Sequence, residues 1–271
     1  MYIFGDSLIF SRMIAMLFGL FSIFLVYRLT YEITSSSQLA KLSAIITTLF
    51  PTLIIYSSMF TREPFIIFFI LFGLLLLFFY KKTSKFRYLI IYAGCVFIEN
   101  YMHGGVAFSM AIIGIVYFGL SNQKSIYKVL LKLMILLIIF LFADFTYLEN
   151  LQNLNFDFVF QEINKRSSGV LSYMPEINSI FSFISYLPSI ILKFLIGFPV
   201  STSYSAILII SVSLMWLILL MAIHILSPQL LVYSPKARLI YFSAVVFFIV
   251  FAIGSTNYGT ALRHKTKFTP L

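Results

Sequence analysis

Nine acidic side chains are all that this 271-residue chain carries: Asp6, Glu32, Glu63, Glu99, Asp144, Glu149, Asp157, Glu162 and Glu176. Some of them stand where they could move a proton or help hold an anion. Arg62 and Glu63 are adjacent and are followed by Pro64. Glu99 and His103 are spaced i, i+4, so a continuous helix would present both on one face. A Glu–His pair of this kind suits a proton relay or a general base, because imidazole titrates near neutral pH. Towards the C-terminus, Arg263, His264 and Lys265 follow a glycine-containing turn. Adjacent cationic groups suit a phosphate or pyrophosphate, with Arg supplying paired hydrogen bonds.

Each motif also has a plainer reading. Glu63 and Pro64 are residues that the first turn of a helix favours. Glu99 and His103 would also serve as a satisfied polar turn, with the helix breaking at Gly104–Gly105. The basic cluster would serve lipid headgroups or orientation alone. His224, within an apolar run, reads as a helix–helix hydrogen bond. No third ligand accompanies Glu99 and His103, so no metal site is read from spacing. No organic cofactor is implied, and a divalent cation is left open. Cys95 is the sole cysteine, which excludes an internal disulfide and a cysteine-based zinc cluster.

The elements that must position these groups follow from composition. The chain is 61% hydrophobic and 10% charged, against roughly 45–50% and 25% in soluble domains. Too little charge is present to coat a water-soluble surface, and disorder and secreted disulfide scaffolds are excluded equally. The net charge of +10 does not point to nucleic acid in so apolar a chain; basic residues between spans report orientation in a bilayer. The apolar runs are unbroken rather than alternating, so the reading is all-α: a polytopic bundle of about 8–9 membrane segments, of roughly 20 residues where full length. The runs are 9–31, 39–60, 65–80, 88–100, 104–120, 129–147, 207–226 and 239–254, forming with their connections a single membrane domain over 1–271. A shorter piece, 186–199, carries Lys193 and reads as a span, a re-entrant segment or an interfacial helix.

Lys and Arg set the orientation. Lys81, Lys82, Lys85 and Arg87 belong on the cytoplasmic side, and Arg28, Lys41, Lys124, Lys128 and Lys132 fall there with them. Met1–Arg12, 61–64, 99–103 and an outer loop at about 148–185 then face outward. Glu63, Glu99 and Asp144 end up at the outer ends of apolar helices. An ionisable group at membrane depth costs roughly 2.5–3.5 kcal/mol, so each is expected to have a partner or a task. The side of the C-terminal cluster depends on whether 186–199 crosses.

The order of features resembles the glycosyltransferase-C superfamily, in particular its protein-mannosyltransferase and aminoarabinose-transferase branch. Ile3-Phe4-Gly5-Asp6-Ser7-Leu8 with Arg12, Leu49-Phe50-Pro51-Thr52, the Arg62-Glu63 turn, Tyr186-Leu187-Pro188, Gly197-Phe198-Pro199 and Asn257-Tyr258-Gly259-Thr260-Ala261-Leu262-Arg263-His264 carry the likeness. The resemblance implies a multi-pass protein of the plasma membrane. Its implied activity is transfer of a sugar from a polyprenyl-phosphate donor to an envelope glycan, lipid or protein acceptor on the outer face. On this chain Arg62, Arg263, His264 and Lys265 would contact the phosphate, and Glu63 or Asp6 would supply the acid. Members of the superfamily begin with a further helix and an acidic outer loop, so the chain is expected to be a piece of a larger enzyme. A polysaccharide polymerase, a lipid-linked-oligosaccharide flippase, a small-solute transporter and a non-catalytic truncated membrane protein are the alternatives. Leu148–Ser185 holds only Lys165 and Arg166, fewer cations than a polymerase loop would carry.

Overall fold

The computed structural model describes residues 8–50, 61–119, 179–196 and 235–255, together with Ile54, Tyr56, Ser58, His264, Lys267 and Pro270. Among the described residues the secondary structure is helical, in seven helices. They are α1 (Leu8–Thr34), α2 (Ser37–Thr48), α3 (Glu63–Thr83), α4 (Arg87–Met102), α5 (Gly104–Gly119), α6 (Ile180–Ile196) and α7 (Pro235–Gly254). Two stretches, Ile9–Thr34 and Glu63–Thr83, are long and apolar enough to cross a membrane. The predicted runs 129–147 and 207–226 and the outer loop lie outside the described residues, as does Asp6.

Local chemistry sets the helix ends. Ser35 (φ 56°) turns left-handed after α1, and the Ser36 hydroxyl caps α2 by accepting from the Leu39 N–H at 3.3 Å. The apolar run predicted over 39–60 breaks early. Leu49 closes α2 just ahead of Pro51, which disfavours helical backbone in the residue before it and lacks an N–H of its own. Pro64 occupies the first turn of α3, where a missing N–H costs nothing, and Glu63 and the pair Lys81, Lys82 lie at the helix ends that complement their charges. The break expected at Gly104–Gly105 falls one residue earlier. His103 is extended (φ −164°, ψ 97°) and closes α4, and the two glycines open α5.

The chain divides into two compact units. The first comprises Met1–Ala143, Ser234–Val246 and Thr266–Leu271, and the second Asp144–Tyr233 and Phe247–Lys265. In the first unit α1 packs on α2 and α3, and α3 packs on α4 and α5. Phe18 meets Phe65 at 4.5 Å between ring centres and Phe21 meets Phe68 at 6.2 Å, so α1 and α3 advance in step and run parallel. Buried Tyr92 ties three helices together: its hydroxyl donates to the Met110 carbonyl, and its ring lies against Gly73 of α3 and Gly114 of α5. A Cβ at Gly114 would stand 3.0 Å from that ring, so the missing side chain is what lets α4 and α5 approach. In a lipid setting such close packing, rather than expulsion of water, drives helix association.

This packing gives the first unit two chemically different ends. At one end Lys81 reaches over the Tyr117 ring, 5.4 Å from its centre. Glu32 pairs with Arg28 at 2.7 Å, and the Lys236 ammonium of α7 donates to the Glu32 carbonyl at 2.6 Å. The start of α3, the end of α4 and the start of α5 make the other end.

Candidate functional site

Two polar motifs far apart in sequence converge at that second end. The Arg62 guanidinium donates through Nη1 to the Met102 carbonyl at 2.7 Å, which docks the 61–64 turn onto the last turn of α4. The His103 N–H donates to the Glu99 carbonyl at 2.6 Å, so the imidazole stays tied to the turn that carries Glu99. Glu63 and Glu99 are both fully buried, and Arg62 is exposed at the rim. Both Glu63 and Arg62 act electrostatically on the His103 ring.

Lys267 joins them. It is 1% exposed, and its charge acts on both Glu99 and His103. The two oxygens of the Glu99 carboxylate make no hydrogen bond among the described residues, so the Lys267 charge is the main compensation visible for it. The His103 imidazole, in the turn between α4 and α5, is held down to about 3 by burial, with the Lys267 and Arg62 charges adding to the effect. It is therefore a neutral hydrogen-bonding group at physiological pH.

An apolar cleft of about 310 Å³ opens in the same unit. Met16, Leu20 and Ile23 of α1 line it, with Thr47 of α2 and Pro64 and Ile67 of α3. Pro270 closes part of it, so the cleft is bounded by the neighbours of Glu63 and of Lys267 in sequence. Its walls are overwhelmingly apolar, whereas the groups beside it in the chain are charged.

The sequence-predicted residues are thus placed unequally. Arg62, Glu63, Glu99 and His103 come together. His264 is described in the second unit, buried against the Phe251 ring at 4.8 Å, with its Nδ1 2.8 Å from the Ser255 hydroxyl. Arg263 and Lys265, like Asp6, lie outside the described residues. Lys267 was not among the predicted site residues, although it belongs to the same basic stretch; its type alone does not say which of several neighbouring cations turns inward. Among the described residues no group of three His, Cys, Asp or Glu side chains is arranged to hold a metal ion. Comparison with family models, curated proteins and solved structures gives no match to this chain.

Proposed function

We propose that the chain is a multi-pass protein of the plasma membrane that transfers a sugar from a polyprenyl-phosphate donor to an envelope glycan, lipid or protein acceptor at the outer face. The observation that carries this reading is the convergence of Arg62, Glu63, Glu99, His103 and Lys267 at one end of the helices. Sugar transfer from a lipid phosphate needs a group to take the proton of the attacking hydroxyl and cations to hold the departing phosphate. Glu99, or Glu63, meets the first need. Arg62 at the rim and Lys267 within meet the second, with Arg62 suited to paired contacts with phosphate oxygens. The neutral His103 orients rather than titrates. The apolar cleft beside the 61–64 turn fits the hydrocarbon of a lipid-linked donor, so one ligand would span both surfaces.

The bond made joins the acceptor oxygen to the anomeric carbon of the sugar. The bond broken joins that carbon to the phosphate oxygen, which leaves with the electron pair, and the acceptor proton passes to the carboxylate. The test uses the whole chain in liposomes with a panel of polyprenyl-phosphate-linked sugars, reading release of polyprenyl phosphate. Glu99→Gln and Lys267→Met are each expected to slow release about 100-fold or more, and Lys236→Met at the opposite end to leave it unchanged. No release from any donor, or release indifferent to both site substitutions, would overturn the reading.

A further inference from the structure

We infer that the turn between α3 and α4, with the exposed face of α4 beneath it, binds one anionic phospholipid. Its phosphate sits on Lys82, Lys85 and Arg87, and an acyl chain runs along Phe86, Ile90 and Phe97. All of these residues belong to the first unit, and the site does not depend on the sugar-transfer reading.

Charge sets the head of the site. Lys81, Lys82, Lys85 and Arg87 fall within seven residues, and no Asp or Glu occurs between Glu63 and Glu99. Ser84 turns left-handed (φ 54°) and its N–H donates to the Tyr80 carbonyl at 2.7 Å, so α3 ends and α4 begins within a few residues. Lys82 and Lys85 stand in one small area, their Cα atoms no more than about 11 Å apart. Arg87 lies 5.0 Å from the Tyr88 ring centre and donates through Nη2 to the Tyr88 hydroxyl at 3.3 Å, which leaves its other N–H donors for an anion. Lys82 and Lys85 are exposed and make no side-chain hydrogen bond or ion pair among the described residues. Glu32, the described acid at this end, is taken by Arg28 at 2.7 Å and by Lys236 at 3.6 Å. The turn therefore has no counter-charge among the described residues, and a phosphate supplies one. Because α3 is apolar from Pro64 to Phe79 and long enough to cross, its last turn puts these cations where hydrocarbon gives way to headgroups.

The face of α4 sets the tail. Phe86, Ile90, Phe97 and Tyr101 recur on one side at helical spacing and are all exposed. Between Ile90 and Phe97 that side is bare, since Gly94 is exposed and a Cβ there would meet nothing within 4 Å. The result is a shallow furrow, closed at its far end by the Phe97 and Tyr101 rings, which meet edge-on at 5.0 Å. From Phe86 to Phe97 the helix rises about 16 Å, close to the hydrocarbon depth of one leaflet. A furrow alone would accept any hydrocarbon, and an acidic protein would satisfy the cations while leaving the furrow bare. A lipid with an anionic head uses both.

The whole chain, with a bimane on Ile98→Cys beside the furrow in a Cys95→Ala background, is placed in phosphatidylcholine liposomes. A small fraction of the lipid carries mid-chain bromines, on either phosphatidylglycerol or phosphatidylcholine. The anionic lipid is expected to quench as though enriched about fivefold or more over the neutral one, with the preference shrinking at high salt. It should vanish when Lys82→Gln, Lys85→Gln and Arg87→Gln are combined, and survive when Lys82→Arg and Lys85→Arg are combined. A bimane on Met13→Cys, on the exposed face of α1, should show no preference. Equal quenching by the two lipids at position 98, as an acidic protein partner would leave it, would overturn the inference. So would a preference that survives the three Gln substitutions, is lost in the Arg pair, or is as strong at position 13.

Discussion

At the scale of single residues, the site rests on compensation of buried charge. The types and spacing of Arg62, Glu63, Glu99 and His103 marked them as groups with chemistry to do. What sequence alone did not show is that the two pairs share one place, because convergence is decided by how α3 and α4 pack, and spacing along the chain is silent on that. Lys267 was illegible for a different reason: four cationic or imidazole groups crowd the last stretch of chain, and backbone phase decides which of them turn inward. The imidazole yields a signed prediction. His103 titrates near 3 in the folded chain and near an ordinary 6.5 when unfolded. Between those values only the unfolded chain binds its proton, so this group weakens folding as pH falls through 6.5 towards 3 and has no effect above that window. Denaturation in detergent at stepped pH should show His103→Gln losing less stability than wild type on acidification from 6.5 to 4. Parallel curves for the two proteins would show that His103 is not held neutral by its surroundings.

At the scale of elements, most helix positions were legible in the sequence because unbroken apolar runs and their basic borders are strong signals. The ends were less so. α2 stops at Thr48 because of Pro51, well before the apolar run itself stops. His103, rather than the glycines after it, makes the break between α4 and α5. The Tyr92 junction was not readable at all, since a tyrosine against two glycines on different helices leaves no pattern within any one helix. It should be sensitive to volume. Gly114→Val adds atoms where even a Cβ lies 3.0 Å from the Tyr92 ring. An overpacking cost of about 1–3 kcal/mol is expected, read as a lowered unfolding midpoint in detergent, whereas Gly94→Ala, which meets nothing within 4 Å, should be close to neutral. Equal effects at the two glycines would mean that the junction does not limit helix approach.

At the scale of the whole molecule, composition indicated a membrane setting, and two of the described helices are long and apolar enough for one. The side of the C-terminal basic segment was the question that composition left open, because it hinged on whether a single short apolar piece crosses. Lys236 beside Glu32 and Lys267 beside Glu99 anchor the two ends of the last passage of the chain to opposite ends of the first unit. The acid–base reading of Glu63 and Glu99 and the anion-holding reading of Arg62 and Lys267 both require that arrangement. The most direct measurement is sidedness. Single cysteines at Thr269, Tyr101 and Ser84, each in the Cys95→Ala background, are treated with an impermeant maleimide on intact cells and again after permeabilisation. The account predicts that Thr269→Cys and Tyr101→Cys react on intact cells and that Ser84→Cys reacts only after permeabilisation. Reaction of Thr269→Cys with the Ser84 side instead would contradict it, since Lys267 could not then complete the site.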